Sequence, residues 1–198
     1  SSDTLVSFVP MAAVSDINYR IEYEQEGILS KFSKGYTYFE KGDVLLAKIT
    51  PCFENGKIAI ADISHEIGFG STEFIVLKAD PNVILPKYLF YILRSEAFRE
   101  PGKRNMTGTA GQKRLKRNFL ENYQISLPSL EDQKRIIKIL DQAHTLYQTR
   151  TDVIHLLDEY LNSVFLDIFG EPTKNSNGWP VGKIADLVSE VKYGTSGK

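Results

Sequence analysis

The sequence predicts an α+β fold: a globular mixed α/β domain followed by a long coiled-coil-type helix. Two observations carry this. Short apolar runs separated by turn residues fill roughly the first eighty positions, and a single helical pattern runs from Pro128 to Gly170, its apolar seam broken by one polar position, Arg150. A third supports it: the pattern in that second stretch repeats every seven residues, a period that compact single-domain cores rarely impose.

Residues 1–80 read mainly as strands. Leu5–Met11, Asp43–Ile49, Gly56–Asp62 and Glu73–Ala79 are short β-branched or apolar runs. Lys41-Gly42-Asp43, Glu54-Asn55-Gly56 and Gly68-Phe69-Gly70 supply turn chemistry between them. Asn55-Gly56 is the strongest hairpin signal, because both residue types tolerate positive φ. Glu22, Glu24 and Glu26 form an acidic run expected on a solvated loop face. Pro86 opens a short amphipathic helix in which Tyr88, Leu89, Ile92 and Leu93 face a sheet.

The next segment, 101–119, is basic. Lys103, Arg104, Lys113, Arg114, Lys116 and Arg117 occur in it with no acid between them, around Thr107-Gly108-Thr109-Ala110-Gly111-Gln112. Clustered cations displace counterions from a phosphate backbone, and glycines let main-chain N–H groups come close. Gln112 and the arginines are types that read base edges, Gln toward adenine and Arg toward guanine. The bland alternative is a solvated basic loop. Tyr123–Pro128 reads as a strand leading into the long helix.

The helix start is marked by Pro128, Ser129 and Asp132, a capping-box pattern, and its end by Gly170 with Pro172 close behind. Ile136, Leu140, Ala143, Tyr147, Arg150, Ile154, Leu157, Leu161, Val164 and Ile168 alternate steps of four and three. Ile139, Leu146, Val153 and Tyr160 form a second register beside that seam, so the apolar face is wider than a two-stranded coil needs. About 40 residues at about 1.5 Å each give a rod of about 60 Å. An ordinary long core helix is the alternative. After Gly170 a polar segment leads to Trp179-Pro180-Val181, which looks like the start of a new unit. The tail Gly194–Lys198 lacks the Walker A spacing and is no phosphate loop.

The 198 residues suffice for one or two domains with a real core, and a formal charge of −1 exerts no global pull toward nucleic acid. Cys52 is the one cysteine, so an internal disulfide is excluded and a reducing compartment is expected. With no membrane-length apolar run and no signal-peptide pattern at the start, the expectation is a soluble, cytoplasmic protein. No nucleophile elbow, metal-ligand spacing or methyltransferase signature occurs. His144 and His155 on the long helix are expected to be partly buried or interfacial, and His65 has no evident partner. Cys52 reads as a small packing residue, not a nucleophile.

LLAKITPCFENGKIAI, GFGSTEF, PKYLFYILRSEAFR, MTGTAGQKRLKRNFLENYQISLPSLEDQKRI and NSVFLDIFGEPTKNSNGWPVGKIADL, in this order, resemble the specificity subunit of type I restriction–modification systems from about Val6 to about Leu187. The resemblance implies a non-catalytic subunit with two target recognition domains. A conserved helix follows each, the two helices pair antiparallel, and each domain reads half of a split DNA site. Modification (M) subunits would bind S-adenosylmethionine and methylate adenine, and the restriction (R) subunit would use ATP and cut, so no cofactor is expected on this chain.

Here one recognition domain (1–127) precedes one spacer and dimerisation helix (128–170). Residues 171–198 would be a linker and the start of a further recognition segment, able to pack back on the globular domain. The chain is thus expected to be a half-subunit or part of a longer protein, pairing as a two-fold homodimer through its seam. Contacts to double-stranded DNA are expected first from Thr107, Thr109, Gln112, Lys113, Arg114, Lys116 and Arg117. Of these, Lys113, Lys116 and Arg117 would hold phosphates, and Gln112 and Arg114 would read bases. Lys48, Thr50, Asn55 and Lys57, with Ser71 and Thr72 of the Gly70 turn, come second; Asn55 is the one most readily explained by the turn alone. The rival reading is a coiled-coil assembly protein whose globular domain binds protein, and a further one is an enzyme acting on DNA by itself.

Overall fold

The computed structural model describes residues 3–32, 34–109 and 111–194. Ala110 of the basic segment and residues 195–198 of the tail lie outside the described residues. The chain divides into two compact units, Ser1–Thr145 and Leu146–Lys198.

In the first unit, β1 (Leu5–Val9) leads through a 3-10 turn (Met11–Ala13) to β2 (Gln25–Ile28), α1 (Leu29–Phe32), β3 (Thr37–Glu40) and β4 (Val44–Ala47). Then come β5 (Ile58–Ile60), β6 (Ile67–Gly70), β7 (Phe74–Leu77), α2 (Pro86–Arg94), α3 (Glu96–Arg104), β8 (Met106–Thr109), β9 (Gln112–Leu115) and α4 (Arg117–Glu121). The strands form sheets of order β2-β1-β6-β3, β5-β4-β7 and β8-β9. Among the described residues only β1 and β6 pair in parallel; the other pairings are antiparallel.

β4 is the centre of the core. Its Val-Leu-Leu-Ala run has no polar face because both faces are covered, and every residue of it is buried. Leu45 packs into one cluster with Val9, Phe39, Ala59 and Phe74. Val44 and Leu46 pack into a second with Ile58, Phe90, Leu93 and Phe98. Alternation along a strand sends successive side chains to opposite faces, so one strand serves two cores. Phe98 is fully buried, ringed by Phe53, Phe119 and Tyr123 at centroid distances of 6.0, 5.7 and 5.0 Å. Its burial stabilises the fold by roughly 1.5–3 kcal/mol and fastens α3 and α4 to the sheet.

Several local expectations are corrected. Gly68-Phe69-Gly70 is not a turn but lies in β6. Its glycines serve packing: a Cβ on Gly68 would sit 2.2 Å from the Phe39 ring, and one on Gly70 would sit 2.6 Å from the Val9 carbonyl. Asn55-Gly56 does lie between two antiparallel strands, β4 and β5, but the connection spans residues 48–57 and only Gly56 takes positive φ (78°). The helix after Pro86 is two helices, interrupted at Ser95, whose side chain accepts the N–H of Phe98. The acidic run is not wholly a loop. Glu26 lies in β2 and pairs with His65 at 2.9 Å, and the Ser64 N–H donates to Glu24.

Tyr123–Pro128 forms no strand. Side chains hold it instead: the Tyr88 hydroxyl donates to the Ser126 carbonyl at 3.1 Å, and that of Tyr123 donates to Ala97 at 2.9 Å.

The long helix, α5 (Leu130–Phe169), has 40 residues. Its start is capped as the sequence predicts, with the Asp132 N–H donating to Ser129 Oγ at 3.1 Å. The Asp132 carboxylate accepts the Ser129 hydroxyl (2.7 Å) and so steadies the cap. Fully buried Gln133 anchors the first turn. Its amide nitrogen donates to the carbonyls of Val83 and Pro128, and its oxygen accepts the N–H of Leu85. Asp141 accepts the Tyr91 hydroxyl at 2.5 Å and pairs with Lys87 at 2.8 Å. His144 is half-buried beside the Tyr19 ring.

In the second unit, the remainder of α5 exposes Leu146, Tyr147, Val153, Ile154, Leu157, Tyr160, Leu161 and Ile168. His155, also exposed, lies 3.4 Å from Glu159. Gly170 takes φ 72° and ends the helix, its N–H donating to Leu166. Local hydrogen bonds run through the polar stretch after it. Asn177 donates to the Ile168 carbonyl, and Asn175 bonds both the N–H and the carbonyl of Trp179. A short helix, α6 (Ile184–Leu187), follows.

Candidate nucleic-acid interface

The basic segment is not one loop. Its first part, through Arg104, is the end of α3, where Lys103 pairs with Glu100 at 2.6 Å. Its centre is the β8–β9 hairpin, with Thr107 opposite Arg114 and Thr109 opposite Gln112. Alternation puts these four on one face. Met106 and Leu115, on the other face, are buried in the core and hold the hairpin to the domain. Gly108 takes φ 142°, and a Cβ there would meet the Gln112 carbonyl at 2.4 Å.

The segment after β4 joins this hairpin. The Leu115 N–H donates to the Lys48 carbonyl (2.8 Å), and the Thr50 N–H donates to Lys113 (2.9 Å). Thr50 Oγ1 accepts the Lys113 N–H and donates to the Gly111 carbonyl, both at 3.0 Å. The β6–β7 turn docks on the same place. The Lys48 N–H donates to the Glu73 carbonyl, and Lys48 Nζ donates to that of Thr72 (2.7 Å). Ser71 Oγ caps this turn by accepting the Glu73 N–H.

Lys48, Thr50, Ser71, Thr72, Thr107, Thr109, Gln112 and Arg114 are therefore neighbours, although more than sixty positions separate the first from the last. The Lys113 backbone joins Thr50 here, while its exposed side chain alternates to the other face of the hairpin. Lys116 and Arg117 follow at the start of α4 and are exposed. Asn55 is exposed within its turn, its backbone N–H donating to Pro51. Lys57 is turned to other work: half-buried, its Nζ donates to the Met11 carbonyl at 3.3 Å.

The surface also carries acids that the basic segment lacks. Arg114 is gripped by Glu73: Nε lies 3.1 and 3.0 Å from the two carboxylate oxygens, and Nη2 lies 2.7 Å from one of them. This hydrogen-bonded pairing holds the Glu73 carboxyl below its ordinary range and raises Arg114. Arg117 pairs with Glu121 at 2.7 Å, one helical turn on. Glu121 is an i+4 neighbour and legible locally. Glu73 is forty-one positions from Arg114, so no local pattern pairs them. An apolar recess of about 650 Å³, floored by Ile75, Leu77 and Leu120, lies between Lys48, Arg114 and Arg117.

Cationic tips, hydroxyls and an amide on a paired hairpin form a donor-rich surface that can hold phosphates and reach base edges. Among the described residues no cluster of His, Cys, Asp or Glu is arranged to bind a metal, and no helix is long and apolar enough to cross a membrane. Cys52 is half-buried.

Comparison with known proteins places the chain in a family. The chain is 43% identical over 136 residues to the type I restriction enzyme EcoAI specificity subunit of Escherichia coli, and 39% identical over 136 residues to the EcoEI specificity subunit of the same organism. Each match covers 67% of this chain but only 23% and 22% of the relatives, so the chain spans about a quarter of their length.

The fold matches the HsdS subunit from Thermoanaerobacter tengcongensis with a TM-score of 0.61 at 20% identity. A chain solved in a study of assembly and conformational transition of the type I R-M system matches with a TM-score of 0.65 at 21% identity. Both matches cover 86% of this chain and 45% of the solved one. Residues 5–155 match the family model for the type I restriction modification DNA specificity domain, and the chain belongs to that family.

Proposed function

We propose that this chain is a DNA-reading component of a type I restriction–modification complex, recognising one half of a bipartite site in double-stranded DNA. The observation that carries the reading is the convergence of residues 48–50, 71–73 and the β8–β9 hairpin strands on one donor-rich region. Lys113, Lys116 and Arg117 hold phosphates and set register; Gln112 and Arg114 face base edges. The chain does no chemistry itself and binds no cofactor. Methylation, with S-adenosylmethionine, and ATP-driven cleavage belong to the M and R subunits, for which it is the scaffold.

The exposed seam of α5 supports pairing with a second copy. The ten seam positions are symmetric about Asp152: in an antiparallel two-fold pair, Arg150 faces Ile154, Tyr147 faces Leu157, Ala143 faces Leu161, Leu140 faces Val164 and Ile136 faces Ile168. A two-fold pair of readers selects an inverted-repeat site.

The competing reading, a coiled-coil assembly protein with a protein-binding head, draws on the same exposed face of α5 and on the internal pairing of Arg114 and Arg117. Salt separates the two. Duplex affinity measured by fluorescence anisotropy between about 50 and 200 mM salt should fall by about a hundred-fold or more if several phosphates are held. Absence of binding at the lowest salt refutes the DNA reading. Turnover on incubation with DNA and either S-adenosylmethionine or ATP would show an enzyme instead.

A further inference from the structure

The Arg114–Glu73 pair has a specific geometry. A guanidinium carries five N–H donors in one plane and offers two bidentate edges: a side edge (Nε with one Nη) and an end edge (Nη1 with Nη2). Glu73 occupies the side edge, through Nε and Nη2. Among the described residues Nη1 makes no hydrogen bond, and Nη2 gives Glu73 one of its two N–H groups, so the end edge keeps a donor on each nitrogen; the Arg114 side chain is 44% exposed. Glu73 is itself fixed. Its backbone N–H is held by Ser71 Oγ, its carbonyl accepts the Lys48 N–H, and its side chain is only 24% exposed. A carboxylate so held sets the plane and direction of the arginine before any ligand arrives. A freely rotating arginine would lose that freedom on binding.

The free edge matches one base. Guanine presents O6 and N7 side by side in the major groove, and an arginine end edge meets both at once. Thr107 lies directly opposite Arg114, and Gln112 is two positions away on the same face. Arg114 thus sits in a row with Thr107, Thr109 and Gln112, side chains of types that can reach base edges.

We propose that Glu73 is the positioning residue for a guanine-reading arginine: it holds Arg114 by the Nε side and aims its Nη1/Nη2 edge at the O6 and N7 of one guanine per half-site. This rests on the DNA reading above and adds the base, the edge and the residue that sets it. Glu73 touches no base; it acts through Arg114.

The test is selection of bound duplexes from a randomised library by the 198-residue chain and its variants at low salt, followed by sequencing. The wild type is expected to enrich a guanine at one position per half-site by about ten-fold or more. Arg114→Lys, which cannot make the bidentate contact, should erase that preference. Glu73→Gln should reduce it to about three-fold or less while leaving the other selected positions unchanged. Glu73→Asp, which restores the charge, should recover part of it. Circular dichroism melting of each variant confirms that the changes leave the fold intact.

If Glu73→Gln only raises affinity for all sequences equally, Glu73 acts through bulk charge and the proposal is overturned. The same holds if Arg114→Lys keeps the guanine, because Arg114 is then no reader, although DNA reading survives. A wild type that binds no duplex at all overturns the functional reading itself, a different failure visible before any variant is made.

Discussion

Thr50 and Lys113 bond each other twice, side chain and main chain. Thr50 Oγ1 accepts the Lys113 N–H at 3.0 Å, and the Lys113 carbonyl accepts the Thr50 N–H at 2.9 Å. The hydroxyl proton goes on to the Gly111 carbonyl, so one threonine closes the end of the hairpin against the segment after β4.

Replacing Thr50 with Val keeps the shape and removes both side-chain bonds. The expected loss of stability is about 0.5–1.5 kcal/mol by urea denaturation, since the freed groups are exposed and water re-solvates them. DNA affinity should fall several-fold because the hairpin is less ordered before binding. A variant with reduced stability and unchanged affinity would show that this closure serves the fold alone.

Gln133 is a different case, because water cannot replace its bonds. Gln133→Ala leaves the carbonyls of Val83 and Pro128 and the N–H of Leu85 without partners in a buried place. A cost of roughly 2–4 kcal/mol is expected. Gln133→Glu should be nearly as damaging, because a carboxylate cannot donate to those carbonyls. Chemical denaturation of both variants checks this.

His144 makes stability depend on pH in a defined window. Burial is the larger cause that lowers its affinity for a proton, and the Arg94 cation is the next; a hydrogen bond with the Asn18 backbone and the Asp141 charge oppose them, and Lys87 adds to them. Its Nδ1 is buried without a hydrogen-bond partner. Because the folded value is depressed, the unfolded chain takes up the proton first as pH falls below about 6.5. Stability is therefore full above that pH, declines as pH drops toward the folded value, and levels off beneath it. His144→Gln should flatten this segment of the profile.

Asp141 acts at a lower pH. Burial pushes it up, but hydrogen bonds from Lys87 and Tyr91 together outweigh that and hold it below the ordinary value. Its contribution is present above about 3.8 and lost as pH falls through the folded value. The two losses should thus separate in an acid titration followed by circular dichroism.

The seam prediction concerns mass in solution. Leu157 and Leu161 are 55% and 65% exposed in the single chain. Changing both to Glu should therefore cost the monomer little, within about 0.5 kcal/mol for each exposed site. It would put charges at the interface of the proposed pair. Light scattering should find a dimer for the wild type and a monomer for the double variant. A wild-type monomer, or a dimer that survives both changes, refutes pairing through this face.

Much of this architecture is readable from local chemistry. The Ser129–Asp132 cap, the Pro86 helix start and the Gly170 stop each rest on neighbours within a few positions, and all are found. The apolar run of β4 announces a buried strand for the same reason. What local pattern cannot show is tertiary traffic. Gly68 and Gly70 look like turn residues, yet they make room for Phe39 and for the Val9 backbone. Tyr123–Pro128 has strand composition but no partner strand. Lys57 and Arg114 read alike as free cations, while the fold sends one to Met11 and locks the other to Glu73. The cations of the basic segment were legible; the acid that pairs with Arg114 was not.

The most direct test of the central claim removes the tip of the reading surface and leaves its scaffold. Lys113→Ala combined with Arg114→Ala changes two exposed side chains and none of the backbone bonds that hold the hairpin. Titrated against duplex DNA at about 50 mM salt, the double variant is expected to bind at least about ten-fold more weakly, with a shallower salt slope. Affinity and slope equal to those of the wild type would contradict the account.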